Sequence, residues 1–519
     1  MILLTRLCLI TALLVLPHQS SAQDTRPHLE HADAILDRWV ARKDTRTSLL
    51  AGSRDQWRIR TMAAQLYPAL VLTAWFTNTD LLDGLLRETL KDETRLTSRL
   101  SVFPDDYHLN QGRFLRGSRN PQEILLNASA YVGGLSRIAA VTGHGPWTDR
   151  LKSIVDALFL RADITTDFAE GPLPSDDIRV TGRVLKALPM LAELYNDEGY
   201  LYYARRLADA YCVGVMPKNG GLPPERWNFE SDKAGAASLI LEEDGVSFME
   251  GLVALYAIEV RDETARADVY RPTLSAMFDV LFTRGLKENG HFYRRLQPDG
   301  RGGYSIDRKR ESPNTVRLLL AAHLYGQLSG NASYIEKAID GLDTYQPAED
   351  RHLTELPALY DAAPLSQSIR RAATRIADRL AIDTPNVTND PEQDAAHLTA
   401  LLSAAWATSA GSRTIPWRSD TSPVAETQGA HITLSLNVSK PWAGRLFLDN
   451  ARSHSQLAIS GFPKSFRILP ERDYEITSTL SGGIATWSGA LISDGLRVDI
   501  HAPLRVTFRS EEPSEDDSP

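Results

Sequence analysis

The chain has 519 residues, a formal net charge of −9 and two cysteines. That length exceeds one ordinary domain, and the acidic balance excludes nucleic acid as a natural partner. Two cysteines exclude a disulfide-stapled scaffold, so stability has to come from a buried core.

Residues 1–22, MILLTRLCLITALLVLPHQSSA, carry one Arg, an apolar run from Leu7 to Leu16 and the small residues Ser20, Ser21 and Ala22. This is the pattern of a signal peptide cleaved after Ala22, and it predicts a secreted or periplasmic protein. The run is too short to span a bilayer and no later stretch reads as long enough, so no membrane span is expected. Removing the leader takes away Arg6 and no acid, leaving a mature charge of −10. Cys8 goes with it, and Cys212, among apolar helix residues, reads as a packing residue.

From Leu29 to Ala410 the apolar period is helical almost throughout, with about fourteen helices. The most apolar are Trp57 to Thr77, Ile124 to Thr142, Asp177 to Tyr195, Gly245 to Val260 and Val316 to Leu328, consistent with burial on more than one side. Each is followed by a short turn and a more amphipathic partner, as at FTNTDLL near Thr79, YNDEGYLYYA near Tyr200 and LSGNASYIEKA near Tyr334. These are helical hairpins, and their recurrence is a weak internal repeat. Turns inside hairpins are short, whereas the connections between them, at 93–120, 162–176, 215–244 and 285–312, are long and rich in Gly, Pro, charge and aromatics. With the hairpins in a ring, the long loops emerge on one face. Asp55, Asn120, Asp176, Asp177, Glu243, Asp244 and Asn314 then surround a mouth made of inner-helix starts. Gly182 inside a helix predicts that another helix approaches closely there.

Near residue 417 the period changes to two, with short strands such as 432–438, 445–448, 457–459, 474–477, 496–500 and 504–508 separated by turn signals. A small antiparallel β-sandwich is expected. The predicted organisation is a signal peptide at 1–22, a helical domain at 23–410, a linker at 411–429, a sandwich at 430–509 and an acidic, solvated tail at 510–519. No zinc pattern, phosphate-cradling glycine loop or nucleophile elbow occurs, so neither metal nor cofactor is expected. Sequons stand at Asn127, Asn331, Asn386 and Asn437, the first of them in a helix read as buried.

The stretches DDIRVTGRVLKAL (176–188), NGGLPPERW (219–227) and EEDG (242–245), set in this architecture, resemble the (α/α)6-toroid, or six-hairpin, carbohydrate-active enzymes with a C-terminal β-sandwich. These include unsaturated uronyl hydrolases, other glycoside hydrolases and toroid-plus-sandwich polysaccharide lyases. The resemblance implies a mainly α toroid and a carbohydrate substrate. In unsaturated uronyl hydrolases an Asp at an inner-helix start protonates the substrate and helps activate water. Asp177, with Asp176 beside it, is the matching position.

Glycoside hydrolysis needs one protonated and one ionised carboxyl group. The candidates are Asp177, Asp176 and Asp244, with Glu243 beside the last. Each stands at a helix start, where capping is the alternative role. Arg179 offers a bidentate partner for a uronate carboxylate or a salt bridge to a neighbouring Asp. Glu225, Arg226 and Trp227 sit in the longest loop, where the indole is either a platform for a sugar ring or an anchor for the loop. His291 and Tyr293, with Arg294, precede another long loop and offer donors to hydroxyls or a carboxylate. A lyase would take its proton with Tyr or His while Asn or Arg neutralises the carboxylate, and Tyr107, His108, Asn110 and Arg113 supply those residue types within nine positions. Ser247 faces the same side as Asp244 and keeps open a toroid that binds glycan or protein without chemistry. The preferred expectation is an exported hydrolase acting on a uronate-containing poly- or oligosaccharide. Oligomeric state is not legible.

Overall fold

The computed structural model describes residues 26–52, 55–117, 120–347, 352–382 and 388–408. In the C-terminal part it describes 413–418, 420–421, 424–428, 431–436, 438–447, 473–478, 484–488 and 496–510. The signal-peptide reading, the acidic stretch after 510, the strand expected at 457–459 and the sequons at Asn386 and Asn437 lie outside the described residues.

Among the described residues, fourteen helices of more than two turns make up the first part. They are α1 Arg26–Val40, α2 Tyr67–Thr77, α3 Arg87–Thr97, α4 Pro121–Thr142, α5 Pro146–Leu160, α6 Ile178–Tyr195, α7 Glu198–Asp209, α8 Glu243–Arg261, α9 Ala265–Val280, α10 Thr315–Ser329, α11 Ala332–Thr344, α12 His352–Ala362, α13 Gln367–Ile382 and α14 Pro391–Thr408. Six hairpins follow in chain order, each an inner helix paired with an outer one: α2/α3, α4/α5, α6/α7, α8/α9, α10/α11 and α12/α13. The inner helices contact one another in the same order. α14 then fits between α12 and α2 with α1 as its outer partner, so the first and last helices close the ring. The protein is thus a mainly α toroid of helical hairpins followed by antiparallel sheets.

The inner helices start where local chemistry directs. Asn120 and Asp177 cap α4 and α6 through side-chain oxygens that accept from Gln122 N and Arg179 N. α6 ends at Asn196 in the left-handed conformation, which starts the turn into α7. A π-helical segment, Ile59–Leu66, leads into α2, and the Arg58 carbonyl is shared by Met62 N and Ala63 N. Small residues set the spacing. A Cβ on Gly182 would lie 2.3 Å from the Asp244 carbonyl, one on Gly251 2.7 Å from Lys186 N, and one on Gly134 2.6 Å from the Ala64 carbonyl. Glycine at these three positions lets α6 meet α8, and α4 meet the segment before α2, backbone to backbone. The expected close approach at Gly182 is therefore made by α8.

α8 is buried on every side from Gly245 to Glu259. Two ion pairs tie neighbouring hairpins together: Arg150 of α5 with Glu93 of α3, both buried, at 3.1 Å, and the half-buried Arg205 of α7 with the buried Glu259 of α8 at 2.7 Å. Cys212 is buried and unpaired, and burial pushes its thiol pKa up, in keeping with a packing role. Among the described residues one helix, α4, is long and apolar enough to cross a membrane by length and composition. This corrects the expectation that no stretch reached that length. α4 is an inner helix of the ring, packed between α2 and α6, and its apolar window is 61% buried.

In the C-terminal part, strands β1 Arg413–Ile415, β2 Val424–Gln428, β3 His431–Leu436, β4 Trp442–Phe447, β5 Asp473–Ser478, β6 Ile484–Ser488, β7 Leu496–Ile500 and β8 Leu504–Ser510 form two antiparallel sheets. Their orders are β1-β4-β7 and β2-β3-β8-β5-β6. Trp442, Leu446, Leu496 and Ile500 from the first sheet pack with Leu436, Tyr474, Ile476, Leu504 and Val506 from the second, which makes the sandwich core. The stretch 411–429, read as a linker, contributes β1 and β2. It also touches the ring, where Trp417 N donates to the Phe76 carbonyl at the end of α2 at 2.8 Å.

Candidate functional site

The long inter-hairpin loops gather on the face where the inner helices begin and knit a collar of short antiparallel pairs. Trp57 pairs with Tyr107, and Asp106 accepts from Ile59 N at 2.8 Å, fixing loop 93–120 over the segment before α2. Asp177 bridges to Arg226, and Trp227 N donates to the Asp176 carbonyl, fixing loop 215–244 over α6. Leu239 pairs with Leu296, and Leu241 N donates to the Arg294 carbonyl, tying that loop to the one at 285–312.

Within the collar the expected carboxylates separate into two groups. Asp177 is fully buried. Its Oδ1 caps α6, and both oxygens accept from Arg179 at 2.6–3.1 Å. Asp176 pairs with Arg226 at 3.0 Å, and Glu225 stands 3.4 Å from Arg179 Nη1. These groups hold the collar to α6. A carboxylate saturated by donors and closed to water is poorly placed to meet a glycosidic oxygen, so Asp177 serves as cap and clamp here. Arg179 makes the salt bridge to a neighbouring Asp that was the alternative to a sugar carboxylate, pairing with Asp177, while Arg226 and Arg294 are engaged by Asp176 and Glu242.

The aromatic and His candidates are mostly inward-facing. Trp227 is 3% exposed, so its indole anchors the loop and offers no open face to a sugar. Tyr107 is 7% exposed and packs edge-on against Phe114 at 6.0 Å. His108 is half-buried, and Arg113 is exposed, with its Nε on Gln111. His291 is buried, its Nε2 3.0 Å from the Gln346 carbonyl and its Nδ1 3.4 Å from Glu311. Tyr293 is half-buried beneath Lys287 and bridges to Glu311. The structure thus brings Tyr107 and His108 to one side of the collar and His291 and Tyr293 to another, and neither pair joins Asp244.

Asp244 belongs to the second group, on the water-accessible inner wall of the ring. Glu243 and Asp244 occupy the first turn of α8, and neither caps the helix. Their side chains diverge. Asp244 meets Arg183 of α6 at 2.7 Å, whereas Glu243 meets Arg317 of α10 at 2.5 Å and accepts from Ser247 Oγ at 3.1 Å. Two turns deeper, Glu250 is 2% exposed and is held by Arg317 and Lys186, each at 2.6 Å. Arg60, ahead of α2, donates to Asn127 Oδ1 at 3.1 Å, and Arg137 of α4 donates to the Ala64 carbonyl at 2.7 Å.

Burial pushes the Asp244 carboxyl above its usual range and the neighbouring Glu243 charge adds to this, while Arg183 opposes it. For Glu243 burial also acts upward, but Arg317, Arg183 and Lys186 together overcome it and hold the carboxyl far below the usual range. Two adjacent acids therefore have ionisations displaced in opposite directions, that of Asp244 upward and that of Glu243 downward. That division of labour is what acid/base chemistry needs.

Sequence reasoning had included Glu243 and Asp244 among the mouth acids but missed Arg60, Arg137, Arg183, Lys186 and Arg317. The available signal was charge on the apolar inner helices: Arg183 and Lys186 three apart on α6, and Glu243, Ser247 and Glu250 at helical spacing on α8. Among the described residues no group of three or more His, Cys, Asp or Glu is arranged to hold a metal ion.

No protein-family model matches the chain, and no curated protein matches it. Among solved structures it is similar to a cellobiose 2-epimerase from Bacillus thermoamylovorans, at 12% identity over 61% of this chain and 86% of that one, with a TM-score of 0.40. It is also similar to an inactive variant of an α-1,6-mannanase from Salegentibacter sp. in complex with α-1,6-mannotetrose, at 14% identity over 72% and 99% of the two chains, with a TM-score of 0.41. A β-L-arabinofuranosidase from Geobacillus stearothermophilus matches at 11% identity over 98% and 80%, with a TM-score of 0.39.

Proposed function

We propose that the chain is a carbohydrate-active enzyme, an exported glycoside hydrolase that cleaves a uronate-containing poly- or oligosaccharide by carboxylate acid/base catalysis. The observation that carries this reading is the Asp244–Glu243 pair, whose environments push the two ionisations in opposite directions on the open wall of the ring. Asp244 gives its proton to the glycosidic oxygen as the C–O bond breaks. Water adds at the anomeric carbon, and the carboxylate of Glu243 takes up its proton. Arg183 and Arg317 keep the two carboxyls apart and oriented. Export, to the outside of the cell or to the periplasm, is proposed on the signal-peptide pattern of residues 1–22, which supports that reading.

The test is incubation with a panel of polyuronates and their oligosaccharides while reducing ends and ultraviolet absorbance are followed together. Ordinary hydrolysis releases reducing ends at flat absorbance, and hydrolysis of an unsaturated uronyl end lowers the absorbance. A rise in absorbance that depends on Tyr107 or His108 would replace the hydrolase with a β-eliminating lyase. Binding of the oligosaccharides without turnover under any condition would leave a glycan-binding toroid.

A further inference from the structure

The part of the inner wall around Glu243 and Asp244 has more positive than negative charge, although the chain as a whole is acidic. Arg60, Arg137, Arg183, Lys186 and Arg317 face Glu243, Asp244 and Glu250, five cations against three carboxylates among the described residues. Arg183, Lys186 and Arg317 each have a carboxylate partner. Arg60 and Arg137 have none among the described residues. Arg60 spends one N–H on an amide oxygen and Arg137 one on a backbone carbonyl. Both side chains remain exposed to water. Yet Arg137 lies among groups of three other inner helices, where the enclosing chain lowers its pKa, Glu243 opposes this, and Arg183 and Arg317 add to it. An exposed guanidinium in such surroundings lines a deep, wet lumen.

Guanidinium groups with several free N–H donors suit a planar carboxylate, which they bind through two parallel bonds. We propose that Arg137, with Arg60 nearer the rim, forms the pocket that receives the carboxylate of the sugar unit bound beside Asp244 and Glu243. Selection of a uronate thus falls to lumen residues, whereas Arg179, Arg226 and Arg294 act as collar clamps. This inference rests on the hydrolase reading of the same site for the sugar itself, while the anion preference stands on the unpaired guanidiniums.

The experiment is calorimetric titration of the full chain with free glucuronate and galacturonate, against glucose and galactose. It is run at low and at physiological ionic strength for the wild type and for Arg137→Met, Arg137→Lys and Arg60→Met. A charge-assisted bidentate contact predicts that the uronates bind about tenfold or more tightly than the neutral sugars. It also predicts that Arg137→Met removes most of this preference, with uronate affinity falling far more than neutral-sugar affinity. Arg137→Lys retains part of the preference and Arg60→Met reduces it, and added salt weakens uronate binding alone. Should Arg137→Met alter the circular dichroism of the free protein, Arg60→Met at the rim decides. Equal affinity for uronate and neutral sugar in the wild type, no uronate binding at all, or a preference that survives both Arg→Met changes would overturn the pocket. Binding is read without turnover. A preserved uronate preference in a protein that hydrolyses nothing refutes the hydrolase and not the pocket, and hydrolysis of neutral oligosaccharides without preference does the reverse.

Discussion

Replacing Arg317 with Met deletes the guanidinium that holds two carboxylates of the lumen. In the wild type Arg317 bonds to Glu250 at 2.9 and 2.6 Å and to Glu243 at 2.5 Å. Removing one partner of a buried pair costs about 3–5 kcal/mol. The lower end applies, because Lys186 stays 2.6 Å from the buried Glu250. Glu243, with its side chain 49% exposed, adds only about 0–1 kcal/mol after solvent screening. The sum is about 3 kcal/mol, a fall in Tm of roughly 5 °C in a domain of this size. For both acids burial acts upward but Arg317 and Lys186 win, so their folded pKa values lie below the unfolded ones. The stability they supply is present above an unfolded pKa of about 4.3 and is lost as pH falls through the folded values. The gap between wild type and Arg317→Met is therefore full at pH 7 and closes below about pH 4. Thermal unfolding followed by tryptophan fluorescence across that range is the assay. A gap under about 1 °C at pH 7, or one that widens as the pH falls, would show that Arg317 does not stabilise the two carboxylates.

Gly182→Ala gains up to about 1 kcal/mol of helix propensity. The new Cβ would nevertheless sit 2.3 Å from the Asp244 carbonyl, so a net loss of about 1–3 kcal/mol is expected in denaturant unfolding, with turnover reduced as α8 shifts. Trp227→Ala empties a buried site and is expected to cost about 3–5 kcal/mol in the same assay, with KM moving much less than stability, whereas a stacking platform would show the opposite split. Activity is expected to fall as pH rises through the upward-shifted ionisation of Asp244. Arg183 lowers that pKa, so Arg183→Met moves the alkaline limb of the pH–kcat profile to higher pH, and a limb that moved down would contradict the assignment.

Helix periods, caps and loop lengths made the ring legible, because each is local in sequence: Asp177 caps α6, Asn120 caps α4, and the long connections share the face of the inner-helix starts. Gly182 foretold a close neighbour and not its identity, since a glycine marks missing volume without naming what fills it. The site was harder to read. Asp177 and Asp244 look alike in sequence, as acids at helix starts, and differ only in what faces them across the ring: Arg179 on the same helix for the first, Arg183 on a neighbouring one for the second. Trp227 lies in a polar loop, yet the loop folds back over α6 and buries it. Arg137 interrupts an apolar helix, and only the closed ring shows that the interruption faces water beside Glu243.

The proposed mechanism gives the acid role to Asp244 and none to Asp177. Asp244→Asn and Asp177→Asn both keep shape and hydrogen bonding while deleting one acid, so the measurement is kcat and Tm of the two variants, side by side, on the oligosaccharide that the wild type cleaves fastest. Loss of a general acid predicts that Asp244→Asn falls roughly 100- to 10,000-fold in kcat with little change in Tm. Asp177→Asn, which weakens the Arg179 clamp, is expected to lower Tm and keep most of its turnover. An Asp244→Asn enzyme that works normally, beside an Asp177→Asn enzyme that is inactive at unchanged Tm, would give the acid role to Asp177.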